Sequence, residues 1–221
     1  MSKYSLLING DLVPGASTMH VINPATEEVL ADCPRSSEEQ LNEAVQAAKE
    51  AFPSWSRTNI KDRKEIVSKI ADIVEENAQE LAQILTEEQG KPIGDATGEV
   101  YGMAAFCRYF ASLDLPVKVI EDSDGRKVEA HHAPLGVVGA IVPWNFPLIL
   151  LAFKLPPALI AGNTIVIKPA PTTPLSTLRV AELIKDVAPP GVINVITDLN
   201  DLGAALTAHP DVRKISFTGS T

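Results

Sequence analysis

Polar side chains that suit the binding of anions follow three predicted strands in the second half of the chain. Asn145 stands in VPWNFP, Lys168 ends IVIK, and Gly219 and Ser220 stand in FTGS. The Asn145 amide has two N–H donors, and one such donor aimed at a developing oxyanion is typically worth about 10²–10³ in rate. The Lys168 ammonium suits a ribose or a phosphate, and a glycine turn with a hydroxyl before a helix suits an anion.

Each of these signals has a simpler alternative. Asn145 could cap a helix that begins at Pro147, because asparagine is among the best N-cap residues. Lys168 could be an ordinary solvated lysine, and FTGS lacks the glycine pattern of a dinucleotide-binding fingerprint. The residues alone leave these alternatives open.

The cysteines and histidines predict neither a nucleophile nor a metal site. Cys107 lies on an apolar helical stripe, and Cys33 has no basic neighbour before Arg35, whereas a reactive thiol needs an electropositive, partly exposed setting. His131 and His132 are adjacent on a predicted strand and therefore point to opposite faces. No group of His, Cys, Asp or Glu has the spacing of a metal site, so no metal is expected.

The first half of the chain is predicted to be mainly helical, after short strands over 4–9 and 20–23. Apolar residues at helical spacing predict helices over 36–52, 61–76, 77–89 and 95–113. Ser36 and Glu39 form a capping-box pattern at the start of the first helix, and Gly90 is a typical end for the third. Solvated helix faces are expected to carry the acidic pairs Glu38–Glu39, Glu75–Glu76 and Glu87–Glu88.

From Leu135 onward the pattern alternates between apolar strands and helices. Strands are expected at GVVGAIVP, NTIVIKP, GVINVIT and RKISF. Helices are expected from Pro147, from Pro174 with Thr173 as N-cap, and at LGAALTAH. Four apolar strands separated by helices predict a parallel sheet covered on both faces, with ligands at the carboxyl ends of the strands. Before them, polar runs around the turn Ser123–Gly125 predict a β-hairpin.

The predicted fold is therefore α/β, with an N-terminal helical segment packed on a Rossmann-like parallel sheet that has helices on both faces, plus a β-hairpin arm. This pattern predicts an N-terminal arm and helical part over 1–114, the hairpin over 115–132, and the βα units over 133–221. The helices before the hairpin and the units after it can share one core.

Composition restricts the class of partner. A chain of 221 residues with a formal net charge of −9 is large enough for a real core and is repelled by nucleic-acid phosphates. Two cysteines and an N-terminus without a basic, apolar leader pattern favour a cytoplasmic protein. The uncharged run over 133–153 is long enough to cross a membrane, but its many proline and glycine residues favour a strand, a turn and a helix. Neither nucleic acid nor membrane is expected as a partner.

Several segments, taken in order, closely resemble the NAD(P)-dependent aldehyde dehydrogenase superfamily. They are EEQGKP, PLGVVGAIVPWNFP, GNTIVIKP, PPGVINVI and HPDVRKISFTGST, and the resemblance covers essentially the whole chain. It implies oxidation of an aldehyde to a carboxylic acid through a cysteine thioester, with NAD or NADP as cofactor.

The resemblance also implies roles for individual residues. Asn145 matches the asparagine that stabilises the oxyanion of the thiohemiacetal, and Lys154 matches a lysine implicated in proton relay in some members. The cofactor is expected to contact a larger set, namely Val142, Pro143, Trp144, Lys168, Gly219 and Ser220. Within that set, Lys168 matches the lysine that holds the adenosine ribose, or a 2′-phosphate in NADP users. Gly219 and Ser220 match the turn near the pyrophosphate.

Two departures from the family pattern bear on the choice between NAD and NADP. Pro171 stands where members that prefer NAD often place a glutamate, which makes NADP possible. Asp198 and Asp201 in TDLNDLG place negative charge near the adenine end, which weighs against NADP. The expected cofactor is therefore NAD or NADP, with a slight preference for NAD.

The family's catalytic cysteine and general-base glutamate lie beyond the position of Thr221. The resemblance therefore implies an N-terminal portion that supplies an oxyanion donor and part of the cofactor cleft but no nucleophile, and that is inactive alone. The full-length form is expected to be a homo-oligomer, dimer or tetramer, with the hairpin around Gly125 as part of its oligomerisation arm. The alternative is a non-catalytic truncated homologue that acts as a nucleotide-binding or assembly module.

Overall fold

Two β-hairpins form the N-terminal segment in the computed structural model, which describes residues 3–219. The first pairs β1 (Leu6–Ile8) with β2 (Asp11–Val13), and the second pairs β3 (Ser17–Ile22) with β4 (Val29–Arg35). Asn9 and Gly10, at the turn of the first hairpin, have φ of 54° and 85°. An Asn-Gly pair suits this turn because both central residues need positive φ.

Four helices follow, as the apolar periodicity predicts. They are α1 (Glu38–Trp55), α2 (Ile60–Glu76), α3 (Ala78–Gln89) and α4 (Ile93–Ser112). The predicted end of α3 is confirmed, because Gly90 takes the left-handed conformation with φ of 89°.

The capping box of α1 lies one residue later than predicted. Ser37 is the N-cap, its hydroxyl accepts from the Gln40 N–H, and the Gln40 side chain accepts from the Ser37 N–H. Ser36 is instead buried and exchanges two hydrogen bonds with Thr197, at 2.9 and 3.2 Å. The prediction was wrong because this long-range pairing leaves no local signal around Ser36.

An exposed hairpin comes next, as predicted, formed by β5 (Lys118–Ser123) and β6 (Arg126–Ala130). Gly125 has φ of 80° in its turn. The two strands form a sheet of their own, apart from the main sheet. His131 and His132 follow β6 rather than lying on it, so their predicted placement on a strand was wrong.

The main sheet contains the four predicted parallel strands. They are β7 (Val137–Ile141), β8 (Thr164–Lys168), β9 (Ile193–Val195) and β10 (Val212–Phe217), in the order β10-β7-β8-β9. The N-terminal hairpin extends this sheet beyond β9, with β1 antiparallel to β9. The predicted α/β class with a parallel-dominated sheet is confirmed. The strand predicted over 4–9 contains β1, but its place beside β9 is not visible in the sequence, because that contact joins opposite ends of the chain.

Four shorter helices connect these strands. They are α5 (Pro147–Ala152), α6 (Leu155–Ile160), α7 (Leu175–Ile184) and α8 (Gly203–Ala208). The single helix predicted from Pro147 is divided in two at Phe153 and Lys154, since Pro156 and Pro157 cannot donate the N–H groups that would continue it. The N-cap of α7 is Pro174 rather than the predicted Thr173.

Glu88 caps the first turn of α7 from a distance. Its carboxylate accepts from the N–H groups of Leu175 at 2.6 Å and Ser176 at 3.0 Å. The side chain is buried, at 2% exposure, so its predicted position on a solvated face was wrong. Burial raises the pKa of Glu88 to about 7, and the two N–H donors oppose that shift.

Both faces of the sheet are covered, because successive side chains of each strand enter different halves of the core. On β8, Ile165 and Ile167 pack into a cluster with α2 to α7, whereas Val166 packs against α1 and α8 on the other face. The helices before the hairpin and the βα units after it therefore share one core. The run over 133–153 forms β7, a turn and α5. Within residues 3–219, no helix is long and apolar enough to cross a membrane.

Candidate functional site

The carboxyl ends of β7, β8 and β10 meet at a cleft of about 400 Å³. The strand register explains why, since Ile141 pairs with Lys168 on one side and with Phe217 on the other. Residues that follow the three strand ends are therefore neighbours. The cleft is lined by Ile141, Val142, Pro143, Trp144, Asn145, Lys168, Ala170, Asn200, Phe217, Thr218 and Gly219.

The predicted site residues are brought together with two exceptions. The structure places Asn145, Lys168 and Gly219 around this one cleft, together with the predicted segment 142–144. Lys154 does not line the cleft and instead contacts Thr218, which does. Ser220 lies outside the described residues.

Asn145 does not cap α5. The N-cap residue is Phe146, and the first-turn N–H groups of Leu148 and Ile149 donate instead to the Glu99 carboxylate of α4, at 2.8 and 3.4 Å. Among the described residues, none hydrogen-bonds the Asn145 side chain, which is exposed in the cleft. The capping alternative is therefore wrong, and the amide is available to a ligand.

A buried ion pair holds the Asn145 loop in place. Lys91 Nζ contacts the Glu99 carboxylate, donates to the main-chain oxygen of Asn145 at 3.0 Å, and lies 4.1 Å from the centre of the Phe146 ring. Both charged side chains are at least nine-tenths buried. Sequence reasoning missed this pair because its contacts join positions about fifty residues apart, and the only local sign is the segment EEQGKP.

Lys168 is buried rather than solvated, so the solvated-lysine alternative is also wrong. Its Nζ lies 2.7 Å from Asp198 Oδ1, and Asp198 Oδ2 accepts from the Leu202 N–H at 2.9 Å. Asp198 itself has no exposed surface. Because an ammonium has three N–H donors, this pairing leaves donors of Lys168 for a ligand in the cleft.

Lys154 reaches the cleft only through Thr218. Its Nζ donates to Thr218 Oγ1 at 2.7 Å, and Thr218 lines the cleft. The rest of the side chain borders a separate cavity of about 360 Å³ that also contains Lys214. Burial, with a smaller contribution from the Lys214 charge, lowers the pKa of Lys154 below its usual range.

The two cysteines are structural, as the sequence predicts. Cys33 and Cys107 are both buried and free. Burial raises the pKa of each thiol to about 12, so neither forms a thiolate near neutral pH. In the part of the chain that the structure describes, no group of His, Cys, Asp or Glu could hold a metal ion.

The chemistry of the cleft fits a nucleotide cofactor. Trp144 and Phe217 expose large aromatic surfaces, at 58% each, and Lys168 supplies unused N–H donors beside them. Gly219 keeps the backbone close to Phe217, because a Cβ there would stand 2.6 Å from the ring. Apolar surface with a few convergent polar groups is typical of cofactor sites.

Comparisons with known proteins agree with this geometry. A family model for the aldehyde dehydrogenase family matches residues 12–221. A Pseudomonas sp. protein described as a probable aldehyde dehydrogenase is 44% identical, with 100% of this chain and 45% of that protein covered.

Solved structures share the fold closely. PnpE from Pseudomonas sp. WBC-3 is 42% identical, with a TM-score of 0.94 over 98% of this chain and 46% of that one. The aldehyde dehydrogenase of Bacillus cereus, solved as a complex with NAD+, is 38% identical, with a TM-score of 0.95 over 98% of this chain and 46% of that one. The chain thus spans about half the length of the relatives it matches. The chain belongs to the aldehyde dehydrogenase family.

Proposed function

We propose that this chain supplies the oxyanion donor and a large part of the cofactor cleft of an enzyme that oxidises an aldehyde to a carboxylic acid with NAD(P)+. The observation that carries the proposal is the meeting of the uncapped Asn145 amide, Lys168 and Gly219 in one cleft. Family membership and the NAD+ complex of the Bacillus cereus relative support it.

The proposed task of Asn145 is electrostatic. When a thiolate attacks the aldehyde carbon, the carbonyl oxygen becomes negative, and the Asn145 N–H donates to that oxygen. The Lys91–Glu99 pair holds the loop before the reaction, so no reorganisation is needed as charge develops. Lys168 holds the adenosine ribose, and Gly219 lies near the pyrophosphate. When bound, the nicotinamide accepts the hydride that leaves the substrate.

Lys154 has a proposed role in moving a proton. Its Nζ is hydrogen-bonded to Thr218 at the cleft wall, and burial lowers its pKa. A lysine with a lowered pKa releases its proton more readily near neutral pH, which suits a relay between the cleft and the cavity behind it.

The proposed nucleophile and general base belong to the part of the family fold that this sequence does not contain. Cys33 and Cys107 are excluded by burial and by their raised pKa. The 221-residue chain is therefore proposed to be inactive alone. Sustained production of reduced nicotinamide by the purified chain, with a panel of aldehydes, would contradict this.

The activity test belongs to the complete enzyme that contains this chain. Replacing Asn145 by Ala should lower kcat by about 10²–10³, while NAD(P)+ affinity stays unchanged. A variant that keeps its kcat would refute the oxyanion role.

An assembly module is the alternative function. The hairpin β5–β6 exposes Val119 and Ile120, which suits an arm that packs on another subunit of a homo-oligomer. The free, buried side chains of Cys33 and Cys107 suit a reducing compartment such as the cytoplasm. A reading frame that stops naturally at Thr221 would favour the module, and one that continues to a cysteine motif would favour the enzyme.

A further inference from the structure

The ion pair between Lys168 and Asp198 has an arrangement that the proposed ribose site does not require. Asp198 has no exposed surface, and each of its carboxylate oxygens has a partner, Lys168 Nζ on one side and the Leu202 N–H on the other. The carboxylate therefore cannot rotate away when a ligand approaches Lys168.

This arrangement changes what Lys168 can bind. The Asp198 charge already balances the ammonium charge, so the pair offers hydrogen-bond donors to a ligand but no net positive charge. A ribose hydroxyl is neutral and can use those donors. A phosphate ester carries about −1.5 to −2 charge at pH 7 and would stand beside a buried carboxylate, where like charges repel strongly.

Arg35, a cation that contacts the same loop, does not relieve this repulsion. Arg35 is already paired with Asp201 at 2.6 Å. Pro171, which borders the neighbouring groove, contributes no charge.

We infer that Asp198 is a specificity-determining residue that selects NAD+ over NADP+ by excluding a 2′-phosphate from Lys168. The inference rests on the proposed function, in which Lys168 holds the adenosine ribose. It names a buried carboxylate on the loop after β9, and this carboxylate acts through the charge of Lys168.

Calorimetric titration of the 221-residue chain with NAD+ and with NADP+ tests the inference without any catalytic readout. The wild-type chain should bind NAD+ more tightly by about tenfold or more. Asp198→Asn removes the charge and keeps an acceptor for the Leu202 N–H, so it should reduce that preference by about tenfold, chiefly by tightening NADP+.

Asp201→Asn is the matched control. It makes the same change in net charge three residues away, in a pair with Arg35 whose side chains are 45% and 34% exposed, so solvent screens the charge that Arg35 regains. It should leave the ratio of the two affinities within about twofold. Circular dichroism shows whether each variant folds. If Asp198→Asn does not fold, Asp198→Ser, a smaller uncharged acceptor, should show the same reduced preference for NAD+.

The outcomes separate the inference from the proposed function. If the wild-type chain binds NAD+ and the ratio is the same in wild type and in folded Asp198 variants, the inference is wrong and the proposed cleft stands. Equal effects of the Asp198 and Asp201 variants also overturn it, because a general charge effect would then explain the result. If neither dinucleotide binds, the proposed function fails and the inference fails with it.

Discussion

Asn145 shows how a residue becomes available for chemistry. A sequence motif places it at a strand end, where helix capping is the simpler role for asparagine. Glu99 takes that role from a different helix, and Lys91 neutralises Glu99 while it holds the Asn145 main chain. The Asn145 position was predictable from the sequence. The absence of a capping role for its side chain was not predictable, because it depends on Glu99 of α4 and on Lys91 in the segment before α4.

Replacing Asn145 by Ala should therefore leave the free energy of unfolding of the chain within about 0.5 kcal/mol of wild type. The side chain is exposed and caps nothing. Ser37→Ala is the matched control, because Ser37 is a true N-cap, of α1, and its loss should cost about 1 kcal/mol. Urea unfolding measures both values. Equal costs for the two variants would mean that Asn145 is a structural cap.

At the scale of elements, local patterns predicted the helices and strands well and their ends less well. Apolar periodicity found α1 to α4 and the four parallel strands, and Gly90 marked the end of α3. The predictions were wrong where a residue distant in sequence forms a hydrogen bond that was not expected from the local pattern. Ser36 pairs with Thr197 rather than capping α1, and Glu88 of α3 caps α7.

The cap supplied by Glu88 should make stability depend on pH. The pKa of Glu88 is raised to about 7 in the folded chain, against an ordinary value of 4.5, so the folded state binds the proton more tightly. This contribution to the free energy of unfolding is fully present below about pH 4.5. It should fall by about 2–3 kcal/mol as pH rises through 7.

Glu88→Gln provides the comparison, because its amide keeps an acceptor for α7 and cannot ionise. Urea unfolding between pH 4.5 and 8 should show a loss of stability in wild type that is absent from the variant. Parallel curves for the two proteins would show that Glu88 does not carry the effect. The titration of Asp201 does not interfere with this measurement of stability against pH. Its pKa is lowered by Arg35, so its contribution is lost only as pH falls below the ordinary aspartate range.

At the scale of the whole molecule, the order of strands decides where the site forms. The sequence predicted four parallel strands, and the register then brings the ends of β7, β8 and β10 together. The extension of the sheet by β1 and β2 was not predictable. Leu6–Ile8 is a three-residue apolar run, and its partner β9 lies at the other end of the chain.

The exposed hairpin β5–β6 gives a prediction about assembly. Ile120 is exposed on a strand that belongs to no larger sheet. If the hairpin is the proposed arm between subunits, a charged substitution there should disturb that contact but not the fold. Ile120→Glu should lower the mass found by sedimentation velocity and leave the free energy of unfolding within about 0.5 kcal/mol. Val29→Glu, at an exposed apolar side chain of β4, is the control for added charge. An unchanged mass for Ile120→Glu would exclude this hairpin from the interface.

The most direct test of the central claim follows the two tryptophan indole N–H signals by NMR while NAD+ is added to the chain. Trp144 is exposed in the cleft, whereas Trp55 is buried and donates to the Asn163 carbonyl at 3.0 Å. A single dinucleotide cleft at the ends of β7, β8 and β10 predicts saturable shifts of the Trp144 indole and the Gly219 amide, with Trp55 unchanged. Saturable binding that leaves Trp144 and Gly219 unmoved, or no binding at millimolar NAD+, would contradict it.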